Sequence, residues 1–95
     1  MHNETIHTQI SMMKKFISAT ILPRFSSIEL FDINEVRLNK YDKKLLNTKQ
    51  RFQITFNVDG IEEQDEVEIE ELILGMKDYL GIPMTTKIHL DFQSV

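Results

Sequence analysis

Negative charge is concentrated in one short segment of the chain, and that segment limits the folds available to it. Eight of the thirteen residues from 59 to 71 are Asp or Glu. Residues 59–95 contain ten acids and two Lys/Arg, whereas residues 1–58 contain nine Lys/Arg and five acids. Like charges repel one another in a compact state. We therefore expect the acidic segment at the surface, either in water or against a cationic surface.

Length and composition indicate one small domain, residues 1–95. A chain of 95 residues has room for one core. It has no cysteine, which excludes disulfides, thiolate metal ligands and a cysteine nucleophile. No segment approaches the roughly 20 apolar residues of a membrane span, and the apolar stretch before Pro23 lacks the length and the cleavage site of a signal peptide. We therefore expect a cytoplasmic protein with no membrane partner.

Apolar residues at helical spacing predict two helices. The first covers about 5–21 and ends before Pro23, which cannot continue a helix. The second covers 66–80, where Asp65 begins a capping-box pattern and Gly81 stands at the position that favours glycine after a helix. The apolar stripe of the first helix consists of Ile6, Ile10, Met13, Ile17 and Thr20/Ile21, and that of the second of Ile69, Leu72, Ile73, Met76 and Leu80.

Alternating apolar and polar residues predict four strands. They cover Ser26–Ile33, Val36–Tyr41, Phe52–Val58 and Ile88–Phe92. The pair Asp59-Gly60 after the third strand is a turn signal. The first two segments are separated by a short stretch, so that residues 26–41 form either one bent strand or two.

We therefore predict an α+β fold with the order α-β-β-β-α-β. Strands with one apolar and one polar face indicate an antiparallel sheet that is covered on one side only. Both amphipathic helices are expected on that apolar side, which makes a two-layer sandwich. The opposite face of the sheet is expected to be polar and exposed, and it carries Gln53, Thr55, Asn57, Lys87, His89 and Asp91.

The leading functional hypothesis is a non-enzymatic module for protein–protein interaction. An acidic helix surface attracts a basic partner by electrostatic complementarity. A small regulator or inhibitor from a phage or mobile element fits the size, the acidity and an isoleucine-rich, alanine-poor composition; its target is then a basic protein, in the sharpest form one that binds nucleic acid. Alternatively these acids have only a structural role, because acidic side chains also stabilise the start of a helix. The predicted partner-binding residues are Glu62, Glu63, Asp65, Glu66, Val67, Glu70, Glu71, Leu74 and Asp78.

An alternative function is self-assembly. Val67 and Leu74 lie one heptad apart, on the side of the second helix opposite to its core stripe. Two apolar residues in line on an acidic surface indicate a contact between subunits, whereas isolated exposed residues need no explanation. The protein is then a homo-oligomer, a ring or a dimer, in a phage or secretion apparatus. The basic segment 37–51 of one subunit pairs with the acidic segment 62–71 of another, or the two segments pair within one molecule.

A second alternative is nucleic-acid binding by the basic segment. Lys and Arg with an interleaved Tyr suit a phosphate backbone and an unstacked base. The order α-β-β-β-α resembles double-stranded RNA-binding domains, but the second helix here starts with glutamates where those domains carry lysines. The net charge of −4 also argues against a nucleic-acid partner. The basic patch would consist of Arg37, Lys40, Tyr41, Lys43, Lys44, Lys49 and Arg51.

Motifs for catalysis, cofactor binding and metal binding are absent from the sequence. It has no nucleophile elbow, no glycine-rich phosphate loop and no HExxH. His89 and Asp91 lie two apart on a predicted strand and share a face, where they form either an acid–base pair or a solvated pair. The acids after Asp59 do not match the spacing of a calcium-binding EF-hand loop. We therefore expect no enzyme, no cofactor and no metal.

Overall fold

The computed structural model describes residues 2–45 and 50–95, with side chains from residue 5 onward. The described chain forms three α-helices and three strands in an α+β arrangement, which confirms the predicted fold class. Within these residues no helix combines the length and the apolar character that crossing a bilayer requires. The elements are α1 (His2–Phe16), β1 (Ile28–Val36), α2 (Lys40–Leu45), β2 (Gln50–Val58), α3 (Glu63–Tyr79) and β3 (Thr86–Ser94).

Helix α1 continues into a π-helical turn, Ile17–Ile21, and then a short 3-10 turn that contains Pro23. The backbone N–H of Leu22 donates to the carbonyl oxygen of Ile17, five residues earlier. This wider turn carries the buried stripe onward, because Met13, Ile17 and Ile21 follow one another at intervals of four and all are fully buried. The predicted helix is therefore present. Its last turn is widened just before Pro23, which has no backbone N–H to donate to a helical hydrogen bond.

The predicted second strand, Val36–Tyr41, is wrong. Strand β1 runs without a break to Val36, and residues 40–45 are helical. The side-chain oxygen of Asn39 accepts a hydrogen bond from the backbone N–H of Asp42 at 2.7 Å, as an N-cap residue does. The alternation of apolar and polar residues over 36–39 is too short to form a second strand against the helix start that this cap stabilises. Residues 26–41 therefore contain one strand and the start of a helix.

The sheet has the order β1-β2-β3 and is mixed, so the prediction of an antiparallel sheet is wrong for one of its two pairings. Strands β1 and β2 are antiparallel, with a register shift between Ile28 and Leu30. Strands β2 and β3 are parallel, with Phe52 opposite Ile88 and Phe56 opposite Phe92. The 17-residue helix α3 returns the chain to the end of the sheet where β2 began, so that the next strand runs parallel to β2.

The core lies on one side of the sheet, where both long helices pack, as predicted. Phe52, Ile54 and Phe56 of β2 are completely buried. The ring of Phe56 lies between two others, with ring centroids 6.1 Å from Phe31 and 5.4 Å from Phe92. Side chains from the helices complete the same cluster; they are Met13, Ile17 and Ile21 of the first helix and Ile69, Ile73 and Met76 of α3.

Two contacts show that the first helix and α3 run antiparallel beside each other. The ring of Phe16 lies 6.0 Å from that of Tyr79, near the end of α3. The guanidinium of Arg24 donates to the carboxylate of Glu68 at 2.8 Å, near the start of α3. This half-exposed ion pair contributes less than about 1 kcal/mol. The first helix thus covers one flank of α3, and the opposite flank of α3 faces the β3 edge of the sheet.

The two ends of α3 differ in how well they are capped. The helix begins at Glu63, and its N-cap residue Glu62 makes no side-chain capping bond, so the predicted capping box at Asp65 is wrong. At the other end Gly81 has φ +68°. The N–H groups of Ile82 and Gly81 donate to the carbonyl oxygens of Lys77 and Asp78. This is the Schellman arrangement, in which a glycine adopts the left-handed conformation.

Replacing two glycines of this region by alanine is expected to change stability in opposite directions. Gly81→Ala should lower the free energy of unfolding by about 1 kcal/mol, because a side chain at positive φ is strained. Gly75→Ala should raise it by about 0.5–1 kcal/mol, because alanine is the better helix former and no atom lies within 4 Å of the added carbon. Urea denaturation followed by circular dichroism measures both. Equal signs would contradict the assignment of Gly81 as the residue that ends α3.

Candidate interaction surface

A groove lies between α3 and the outer edge of β3. Its volume is about 410 Å³. Ile73, Ile88 and Leu90 give it an apolar floor, and Leu74 stands at its rim with 66% of its surface exposed. The remaining lining residues are charged or polar. We call this surface the α3–β3 groove, and its lining consists of Glu70, Ile73, Leu74, Lys77, Lys87, Ile88, His89 and Leu90.

The edge of β3 beside the groove presents backbone groups that no other strand of the described chain pairs. Strand β3 is the last in the order β1-β2-β3. The backbone N–H of Val95 donates a hydrogen bond to the carbonyl oxygen of Val58, in β2, at 3.1 Å. Because peptide groups alternate in direction along a strand, odd-numbered residues of β3 bond to β2. Even-numbered residues, including Ile88 and Leu90, therefore direct N–H and C=O toward the free edge.

Two lysines set the charge at one end of the groove. The ammonium of Lys77 donates to the carbonyl oxygen of Thr86 at 2.7 Å, which also fits the outward direction of even-numbered β3 residues. Burial lowers the pKa of Lys77 below its ordinary value, and the positive charge of Lys87 lowers it further. Glu70, two helical turns before Lys77, lines the same groove. The groove is thus basic at one end and acidic at the other.

The pKa of Lys77 should lie below its ordinary value, and it should rise toward that value in Lys87→Gln, where one of the two causes of the shift is removed. Lys44→Gln is the matched control and should leave the pKa of Lys77 unchanged, because Lys44 is exposed on α2 and is not one of the causes of the shift. An NMR titration of the lysine side chains measures each pKa. Because the unfolded chain holds this proton more tightly than the folded one, folding stability gains from rising pH between the two pKa values. An unchanged Lys77 pKa in Lys87→Gln would contradict the described geometry.

The structure places the predicted partner-binding residues on two flanks of α3 and leaves most of them exposed. Each residue of a helix is turned by about 100° from the previous one. Val67 and Leu74 are both exposed, as predicted, and with Glu70 they lie on the flank of α3 away from the first helix. Asp65 is half-buried and lies on the other flank. Residues of the predicted set that are exposed are Glu62, Glu63, Val67, Glu70, Glu71, Leu74 and Asp78, whereas Asp65 and Glu66 are half-buried.

The predicted basic patch is only partly assembled. Arg37, Lys40, Tyr41, Lys43 and Lys44 are exposed at the end of β1 and on α2. Arg51 lies on the polar face of β2, opposite Lys87 of β3, and Lys49 lies outside the described residues. In the described part of the chain the one side-chain ion pair joins Arg24 and Glu68. Pairing of the basic segment with the acidic segment inside one molecule is therefore not seen there.

The strands separate positive and negative charge into two poles. Val36, Arg51 and Lys87 share one row across the sheet, near the basic residues of α2. Ile28, Val58 and Ser94 share the row at the other end, where the chain continues from Val58 through Asp59 into the acidic start of α3. The molecule therefore has a basic pole and an acidic pole, at opposite ends of the strand direction.

The polar face of the sheet is exposed or half-exposed, as predicted. His89 and Asp91 share this face, and the carboxylate of Asp91 accepts a hydrogen bond from the side-chain amide of Gln93 at 2.9 Å. Among the described residues no three His, Cys, Asp or Glu side chains are grouped as metal ligands.

Comparison with protein-family models, with curated proteins and with solved structures gives no match for this chain. On the helix side of the α3–β3 groove, Leu74 and Glu70 could be predicted as binding residues from the sequence, whereas the strand side was not predicted. The missed signal was the strand–helix–strand order of β2, α3 and β3, which is typical of parallel pairing and leaves β3 beside α3.

Proposed function

We propose that this protein is a non-enzymatic interaction module that binds a basic protein surface along the outward flank of α3 and the adjoining edge of β3. One observation carries the proposal: an exposed apolar ridge, Val67 and Leu74, stands among acids on α3, and its Leu74 lines the groove beside the unpaired strand edge. Interfaces combine a buried apolar centre with a charged rim in this way. The acids around the ridge select the sign of the partner's charge.

The free strand edge supplies the binding element that an acidic helix alone lacks. A partner segment in extended conformation adds to an open sheet edge through main-chain hydrogen bonds. Here that segment would also cover Ile88 and Leu90, which are only half-buried on the core side of β3. Inhibition of a basic, nucleic-acid-binding protein is one form of this function. The partner must in addition carry some negative charge, because Lys77 and Lys87 occupy one end of the same groove.

Removing acids from α3 should weaken binding more than removing the same number of acids elsewhere. The test variant is Glu63→Gln/Glu70→Gln/Glu71→Gln, and the control is Glu29→Gln/Asp32→Asn/Glu35→Gln on β1; all six residues are exposed. Both variants change the net charge by three, so a general charge effect would be equal. Tagged protein is incubated with a nuclease-treated lysate of the cells that encode it, and retained proteins are identified by mass spectrometry. The expected result is a basic protein that the α3 variant loses and the β1 variant keeps.

A second pair of variants tests the apolar ridge. Leu74→Asp should abolish retention of the same protein, whereas Leu30→Asp, which changes an exposed leucine of β1, should leave it unchanged. Raising the salt concentration should release the partner, because exposed charge pairs are screened. Equal losses in the α3 and β1 variants, or a partner that disappears on nuclease treatment, would contradict the proposal. Loss of the partner on nuclease treatment would favour nucleic-acid binding by the basic segment 37–51.

A further inference from the structure

We propose that the partner of the α3–β3 groove is a second copy of this chain, bound by antiparallel pairing of two β3 strands around a twofold axis at His89. This inference rests on the proposed function, since it uses the same surface; the basic protein surface that meets the acids of α3 is then the Lys77 and Lys87 end of the second copy's groove. It would join two three-stranded sheets into one continuous six-stranded sheet. Closed twofold dimers are the commonest oligomers, and they bring one surface against itself.

The hydrogen-bonding groups of β3 fit this pairing. The N–H and C=O groups of Ile88 and Leu90 point to the free edge, as the Val95 bond to β2 shows. With the axis at His89, Ile88 of one copy lies opposite Leu90 of the other, and the two residues exchange main-chain hydrogen bonds. His89 then faces its own counterpart in a non-hydrogen-bonded pair. The apolar side chains of Ile88 and Leu90 meet on the core side of the sheet.

Charges on the polar face are self-complementary about the same axis. Lys87 and Asp91 lie two residues before and two residues after His89. An antiparallel pair around His89 therefore places Lys87 of each copy opposite Asp91 of the other. Both positions are non-hydrogen-bonded, where cross-strand side chains come closest. Two opposite-charge pairs form, and this register brings no like-charged lysines or aspartates together.

The groove above the strand has the same symmetry of charge. On α3 it is lined from Glu70 to Lys77, and on β3 from Lys87 to Leu90. The middle of the helix part is near Leu74, and the middle of the strand part is next to His89. A twofold axis there turns Glu70 of one copy toward Lys77 of the other and brings the two Leu74 side chains together. The exposed leucine thus gains an apolar contact, and the lysine gains an acid.

The overall charge distribution favours the antiparallel orientation. Each molecule has its basic pole at the Arg51–Lys87 row and its acidic pole at the start of α3. Reversing the second copy sets the basic pole of each beside the acidic pole of the other, whereas a parallel arrangement sets like poles together. Electrostatic complementarity at this scale guides orientation and speeds association.

Exchange of the two charges tests the register. Lys87→Glu alone sets an acid opposite Asp91, and Asp91→Lys alone sets a second lysine opposite Lys87, so each single variant should dimerise at least about tenfold more weakly than the wild type. The double variant Lys87→Glu/Asp91→Lys restores opposite pairs and should dimerise like the wild type. A mixture of the two single variants should form a heterodimer, because their strands are complementary to each other. Sedimentation equilibrium over a range of concentrations measures each mass.

A cysteine cross-link tests the position of the axis in an otherwise cysteine-free chain. His89→Cys should form a disulfide-linked dimer on mild oxidation, because a non-hydrogen-bonded pair sets Cα atoms about 4.5 Å apart, within the range of a disulfide. Gln53→Cys and Asn34→Cys are matched controls, since both lie in the same row of the sheet, on β2 and β1. Neither should cross-link. Circular dichroism confirms that each variant is folded.

The outcomes separate this inference from the proposed function. Each of three results would overturn the dimer. The first is a wild-type monomer at high protein concentration, and the second is equally strong dimerisation of the wild type, both single charge variants and the double variant. The third is faster cross-linking at Asn34→Cys than at His89→Cys. If the protein is a monomer but retains a basic protein that depends on Leu74 and the α3 acids, the proposed function stands without the dimer. If it is a monomer and retains nothing, both fail.

Discussion

Packing of α3 on the apolar face of β2 is the constraint on which the rest of the structure depends. Ile69, Ile73 and Met76 are buried against the sheet, so the helix must cross its face. That crossing returns the chain to the start of β2 and makes β3 parallel to it. Because the first helix occupies one flank of α3, the other flank and the edge of β3 are left beside each other. The groove is a consequence of this arrangement.

The same crossing determines where the acids lie. Residues 59–71 connect β2 to α3 and form the first half of the helix, at the acidic end of the strands. Acids near a helix N-terminus interact favourably with the helix dipole, so a helix start is a tolerable place for them even where no side chain caps it. Most of these acids are exposed. The self-repulsion expected from the sequence is thus relieved by solvent, and one acid of α3, Glu68, is matched by Arg24.

Elements with long regular patterns could be predicted from the sequence, and elements set by pairing could not. The core stripe of α3 and its end at Gly81 follow from spacing and from the left-handed preference of glycine. Strand direction does not follow from alternation, because a strand with one apolar face suits either pairing. The helix at Lys40 depends on one cap at Asn39. On the surface, Leu74 was identifiable as exposed, but its neighbours on β3 depended on the strand order.

The two edges of the sheet differ in a way that explains why self-association through β3 would stop at two copies. Strand β1 carries Glu29, Asp32 and Glu35, all exposed, and no basic residue. Pairing of two β1 edges therefore brings acids together, and the register shift near Ile28 further disturbs an added strand. Strand β3 carries a lysine and an aspartate placed symmetrically about His89. One edge thus repels its own copy, while the other is the one proposed to pair with its own copy, so that association would end at a closed pair rather than continue into a fibre.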